Sequence, residues 1–366
     1  MGSGSRLALL VQNSFRRISS TSYPHQAQQN KLLSSADHGA EYNLFEADLA
    51  TRVQQLQLHS GGTSGSAHLN WLLDAFSSTL ATYASLPPLL LSCPSSSQDS
   101  DASGHAPNYS QYVIAAQRAD ETLSLLDACA SLKHTADDAD RQLGRLQQTL
   151  QSAEQALRAP HVSRAQVQTA AHRLRAAACR LDVAMGSSVQ QHKEEAHAAL
   201  LLAAKSVQSA PHGSDPANQA LDGTLLITLL TLASALSSFT SPTKCGAIRS
   251  ACKLLVRYCS KSSSSSRAAA AWVAPFRQLQ RDLRQEEMGS VFVELQALHA
   301  SVISLLAALD MSTPDPQDIN VEVVRRGVES LRKRAQEAGA CLTRLRSPLA
   351  SLFQALLTLR LALLHS

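Results

Sequence analysis

The stretch "GTLLITLLTLASALSSFTSPT", residues 223–243, contains no charged residue and is bounded by Asp222 and Lys244. Its reading decides the fold, because it either crosses a bilayer or forms a buried helix in a soluble bundle. The strongly apolar part, residues 225–236, is short: a spanning helix needs about 20 predominantly apolar residues, whereas about 10–14 suit a core or interfacial helix. Nine of the 21 residues are Ser or Thr. Thr224, Thr228, Thr231, Ser234 and Ser238 return at helical spacing as a hydroxyl stripe. Hydroxyls tolerate membranes by bonding to their own helix or to a neighbour, so the stripe weakens the membrane reading without removing it. A core helix is the expectation. The alternative is membrane insertion through Leu225, Leu226, Ile227, Leu229, Leu230, Leu232, Leu236 and Phe239.

The rest of the chain favours helices. Ala, Leu, Ser and Gln dominate, aromatics are 4%, and glycine gathers at obvious breaks. The expected fold class is all-α, an elongated multi-helix bundle with long antiparallel helical hairpins. Residues 1–40 are expected to form a flexible N-terminal segment and 41–366 the bundle domain, with disordered loops near 93–110 and 260–270. The net charge of +4 is too mild to imply nucleic acid. Arg325, Arg326, Arg332, Lys333 and Arg334 crowd the start of the last helix. They are a candidate face for an acidic partner or anionic lipid, set against a solvated helix face.

Two long seams stand out. Ala136, Ala139, Leu143, Leu146, Leu150, Ala153 and Leu157 alternate spacings of three and four, and Val167, Ala171, Leu174, Ala178, Leu181 and Met185 answer them after Pro160. Ser163 and Gln166 offer a capping box for the return arm. The short turn between the arms predicts antiparallel packing. Helices are also expected over 42–58, with Leu44, Leu49, Val53 and Leu56 inward, and over 67–86, stopping at Pro87 and Pro88. Another follows over 245–258, and one runs from Pro275 to Asp310. The last segment keeps its three-four spacing from Val321 to Leu363, and Pro348 predicts a kink or restart.

No local signature points to a reaction. "GGTSGS" lacks a following lysine and a preceding strand. His192 and His197 are five apart rather than the four of a zinc-protease helix. Asp137, Asp138 and Asp140 lack the glycine and terminal glutamate of a calcium loop and read as a charged helix face. Seven scattered cysteines suit a reducing compartment. Cys245, Cys252 and Cys259 are spaced about 10.5 Å apart on a helix, too far to share one zinc ion. No catalytic residue, metal or cofactor is expected.

Residues 1–36 hold no acid, while Arg6, Arg16, Arg17 and Lys31 sit among serines, as in organelle transit peptides. Arg6 stands where a myristoylation signal at Gly2 wants Ser or Thr. A cytoplasmic, membrane-associated location is therefore expected, with plastid import as the alternative. Ser262, Ser263, Ser264, Ser265 and Ser266, between Lys261 and Arg267, are candidate phosphorylation sites in a linker.

Three segments together resemble the plant BYPASS-like family, including its exocyst-interacting ROH branch. They are "SFRR" with "LFEADLATRVQQL" and "LNWLLDAFSSTL"; "WVAPFRQLQRDLRQEEMGSVFVELQALHASVISLLAALD", with Trp272, Pro275, Leu279, Gln280 and Glu294 matching; and "CLTRLRSPLASLFQALLTLRLALL", with Leu352, Phe353, Thr358 and Arg360. The resemblance implies a non-enzymatic role in plant development, through root-derived signalling or secretory tethering. It implies protein partners among exocyst subunits, with peripheral or single-pass membrane association, and no catalytic residues.

Overall fold

A computed structural model of the chain describes residues 34–58, 65–91, 109–158, 163–209, 216–239, 270–285, 290–310 and 321–365. They form helices α1 (Ser34–Leu58), α2 (Gly65–Leu91), α3 (Tyr109–Leu157), α4 (Arg164–Ser209), α5 (Pro216–Ser238), α6 (Val273–Gln285), α7 (Ser290–Asp310) and α8 (Val321–His365). No strand occurs among the described residues, and the fold is an all-α bundle. The chain divides after Glu41 into Met1–Glu41, of which residues 34–41 are described and helical, and Tyr42–Ser366.

Within Tyr42–Ser366, α3, α4 and α8 form the long frame. The α3 seam is buried throughout, from Ala136 and Ala139 to Leu150 and Leu157. At the start of α4 the Ser163 amide donates to Gln166 Oε1 at 2.8 Å, and the Gln166 amide donates to Ser163 Oγ at 3.3 Å. This reciprocal pair is the capping box that the sequence offers. Arg173 bonds Ser152, and His192 lies against Asp138 and His134, so α4 returns antiparallel to α3. On the other side of α3 the Cys129 thiol donates to the Leu349 carbonyl, Gln147 to the Ala335 carbonyl and Arg360 to the Ala119 carbonyl. The residue numbers fall on one helix as they rise on the other, which makes α8 antiparallel to α3 over nearly its whole length.

The α8 seam, Val324, Val328, Leu331, Ala335, Ala338, Leu342, Leu345, Leu349, Leu352, Leu356, Leu359 and Leu363, is buried in unbroken sequence. Pro348 lies inside this helix, which continues without a restart. Proline removes one N–H from the ladder, but Leu345 and Leu349 on either side are fully buried and hold the register. α7 packs on the first half of α8: Leu305 lies so close to Gly327 that a Cβ there would stand 2.6 Å from its Cδ1.

Residues 223–238 of the uncharged stretch lie in α5, and residues 220–239 are buried. Its hydroxyls meet α2: Tyr83 Oη stands 3.0 Å from Thr228 Oγ1, and Thr79 Oγ1 2.9 Å from Thr231 Oγ1. Thr224, Thr228 and Thr231 also bond back to carbonyls four residues earlier. At the start of α5, Gly223 admits Leu49 and Trp272; a Cβ would stand 2.6 Å from Leu49 Cδ2 and 3.1 Å from Trp272 Cε2. Trp71 donates to the Leu56 carbonyl and Gln57 to the Pro275 carbonyl, tying α1 to α2 and α6. The buried apolar side chains make one continuous cluster.

Several sequence expectations need correction. Leu44 is 73% exposed, because Tyr42, Phe45, Leu49, Val53 and Leu56 define the inward face of α1 and Leu44 lies one residue off it. α2 continues past Pro87 and Pro88 to Leu91, although each proline removes an N–H donor and crowds the carbonyl four residues back. The helix expected from Pro275 to Asp310 is two helices, α6 and α7. α3 extends back to Tyr109, well before its seam. The serine tract, the 245–258 helix, most of the 93–110 loop and the N-terminal 33 residues lie outside the described residues.

Candidate interaction surface

The basic head of α8 is held by the bundle itself. Arg325 pairs with Glu322 at 3.1 Å and donates to the Leu157 carbonyl at 2.9 Å, where a cation suits the carbonyl end of α3. Arg326 pairs with the same Glu322, Arg332 with Glu154, and Arg334 donates to Ser301 of α7. Of the five candidates, only Lys333 makes no such contact among the described residues. Two acids serve three of these arginines, Glu322 on the same helix and Glu154 on α3, which also pairs with Arg158. Arg325, Arg332 and Arg334 thus tie α8 to α3 and α7, while the head keeps a net positive charge.

The second half of α8 differs. Residues 338–366 contain no acid. Among the described residues this helix is one of two long and apolar enough to cross a membrane, by length and composition. Its most apolar window has a mean hydropathy of 1.5 yet is only 28% buried, whereas the α5 window, at 1.6, is 100% buried. Leu349, Leu352, Leu356, Leu359 and Leu363 face inward, while Phe353, Leu357 and Leu361 are half-buried and Leu364 is 56% exposed. A second apolar stripe thus runs beside the buried one. Leu123 on α3, 41% exposed, stands at the level of Leu356, since Ala119 faces Arg360 and Cys129 faces Leu349.

Polar groups inside the bundle are matched only in part: among the described residues, fully buried Gln280 has no hydrogen-bond partner for either its amide oxygen or its amide nitrogen, whereas one charged cluster is paired. Arg118 lies between Glu121, at 2.8 Å, and Asp222 of α5, and all three are at most 4% exposed. Burial pushes the Glu121 carboxyl above its usual value; Arg118 opposes this, Asp222 adds to it, and a Ser206 hydrogen bond lowers it. One guanidinium between two carboxylates fixes where α5 begins against α3. Burial likewise pushes the Cys129 thiol up to about 12, leaving it protonated and unreactive.

The other sequence candidates are structural. Asp137 and Asp140 hold Arg346 of α8, and Asp138 pairs with Arg141, so the acidic cluster joins helices. His192 Nδ1 is 3.1 Å from Glu195 Oε2, and that hydrogen bond draws the Glu195 carboxyl below its usual value. Among the described residues, no group of three or more His, Cys, Asp or Glu side chains is placed to hold a metal ion. Sequence reasoning missed both the outward stripe of α8 and the Arg118 cluster. A second spacing of four, four and three through Phe353, Leu357, Leu361 and Leu364 was the available signal for the stripe. The cluster, joining residues about a hundred positions apart, had none.

Comparisons with protein-family models, with curated proteins and with solved structures give no match to this chain.

Proposed function

We propose that the chain is a non-enzymatic helical adaptor that binds a protein partner through the second half of α8. The observation behind this reading is the outward stripe from Phe353 to Leu364 beside a fully buried seam on the same helix. A helix that buries one apolar stripe and displays another suits a partner helix laid alongside it. The pairing of Arg118 with Glu121 on its own helix and Asp222 on α5 favours a structural use of the buried charges over a catalytic one. The resemblance to the BYPASS-like family gives the partner class, exocyst subunits, and the setting, secretion-linked plant development. Insertion of residues 223–243 in a membrane is the rival. Its length and hydropathy favour it, but the complete burial of the α5 window favours a core helix.

Titration calorimetry of the purified full chain against purified exocyst subunits tests the proposal. Saturable binding to one subunit, lost in Leu364→Ser at unchanged melting temperature, is expected, since Leu364 is the exposed end of the stripe. If no subunit binds, or if Leu364→Ser binds as well as the wild type, the adaptor role of this surface is wrong.

A further inference from the structure

The charges around the outward stripe specify its occupant. Arg346, Phe353 and Arg360 are seven residues apart and share one side of α8, and Arg346 and Arg360 both reach α3. Phe353 therefore lies on the α3 edge of α8. Leu357, four residues after Phe353, lies one step outward and near the level of Leu123, and Leu364 continues the same side about 10.5 Å farther along α8. On α3 this apolar strip is flanked by Asp120 and Asp127, both exposed and neither in an ion pair among the described residues. They are seven residues apart, about 10.5 Å along the helix. At its upper end the strip is closed by Arg346 with Asp137 and Asp140.

Resting on the adaptor reading, we infer that the α3–α8 seam docks a basic amphipathic helix of a partner protein. Its apolar stripe covers Leu123, Phe353, Leu357 and Leu364. Its cations, two turns apart, face Asp120 and Asp127. The same acids set the surface against an anionic bilayer, which would bring phosphate groups to two unpaired carboxylates. The chain as a whole carries +4, and Arg360, bonded to the Ala119 carbonyl, puts a positive charge on the α8 side of the strip, so attraction for a cationic helix must come from Asp120 and Asp127 on the α3 side and not from net charge.

The probe is a fluorescent 18-residue amphipathic peptide with leucines on one face and lysines on the other, alongside a twin in which every lysine is glutamate. Anisotropy is read against the full-length chain. The lysine peptide is expected to bind saturably and the glutamate twin about tenfold more weakly or worse. Asp120→Lys/Asp127→Lys should invert that order, and Leu364→Ser should weaken the lysine peptide about tenfold, with melting temperatures unchanged. Equal affinity for the two peptides, no binding of either, or indifference to charge reversal would overturn the inference. So would binding to phosphatidylserine vesicles that depends on Leu364. The two proposals fail separately. A captured exocyst subunit without peptide binding moves the adaptor contact to another surface, whereas peptide binding without a subunit keeps the surface and removes that partner class.

Discussion

Replacing Thr228 and Tyr83, singly and together, probes the contact by which α5 is held inside the bundle. The Thr228 hydroxyl has one proton, which it donates to the Thr224 carbonyl at 2.7 Å. The 3.0 Å contact with Tyr83 therefore takes its proton from the phenol. Burial holds the Tyr83 phenol above its usual value, so it stays a donor. Thr228→Val leaves that O–H buried without an acceptor, a loss of about 1–3 kcal/mol. Tyr83→Phe removes the donor while Thr228 keeps its own bond, a loss of about 0.5–1.5 kcal/mol. The double variant leaves no unsatisfied donor and should lose about 1 kcal/mol less than the sum of the singles. Urea unfolding followed by far-ultraviolet circular dichroism at constant m-value measures all three. Thr231→Val is the contrast. Its hydroxyl and that of Thr79 both have a carbonyl four residues back, at 2.9 and 2.7 Å, so their mutual contact competes with two bonds for two protons. Losing it leaves Thr79 satisfied and costs less than Thr228→Val. If Thr228→Val costs no more than Tyr83→Phe, or if the singles add, the proton assignment is refuted.

Other consequences follow from the same interior. Arg118→Met strands Glu121 and Asp222 in the core and should destabilise by about 3–5 kcal/mol in thermal unfolding. Because Glu121 has a raised folded pKa, the folded state binds more protons than the unfolded one above the ordinary value of 4.5. Stability should therefore fall as pH rises from there through the folded pKa, and Glu121→Gln should flatten that slope in melts taken across pH. Gly223→Val forces a side chain onto Leu49 and Trp272, each 2% exposed, and should cost about 1–3 kcal/mol by urea midpoint. A thiol reagent should label exposed Cys179 in the native chain well before Cys129, which needs unfolding first.

Much of the fold was legible because heptad seams report their own burial. The spacing through Leu143 to Leu157 and through Val324 to Leu363 named residues that are all inside. The capping box at Ser163 is visible in four consecutive letters and is present as read. Leu44 was misassigned since a leucine next to a seam looks like part of it; only the competing set of Tyr42 and Phe45 decides which face turns inward. Prolines 87 and 88 misled for a related reason, because a missing donor weakens a helix but does not by itself end one. The basic head of α8 looked like a patch in one dimension. The partners that tie it down, Glu154 and the Leu157 carbonyl, arrive from α3 across some 170 residues of sequence. The Arg118 cluster also depends on helix packing, and α8's outward stripe was hidden by the stronger seam on the same helix.

The account rests on residues 223–238 forming a core helix, and hydrogen exchange read by mass spectrometry on the full-length chain, purified without detergent, tests that most directly. Peptides covering Leu225 to Leu236 should exchange among the slowest in the chain, opening only with global unfolding. Rapid exchange of those peptides in a chain whose α3 and α8 stay protected would contradict the account and return the stretch to the membrane.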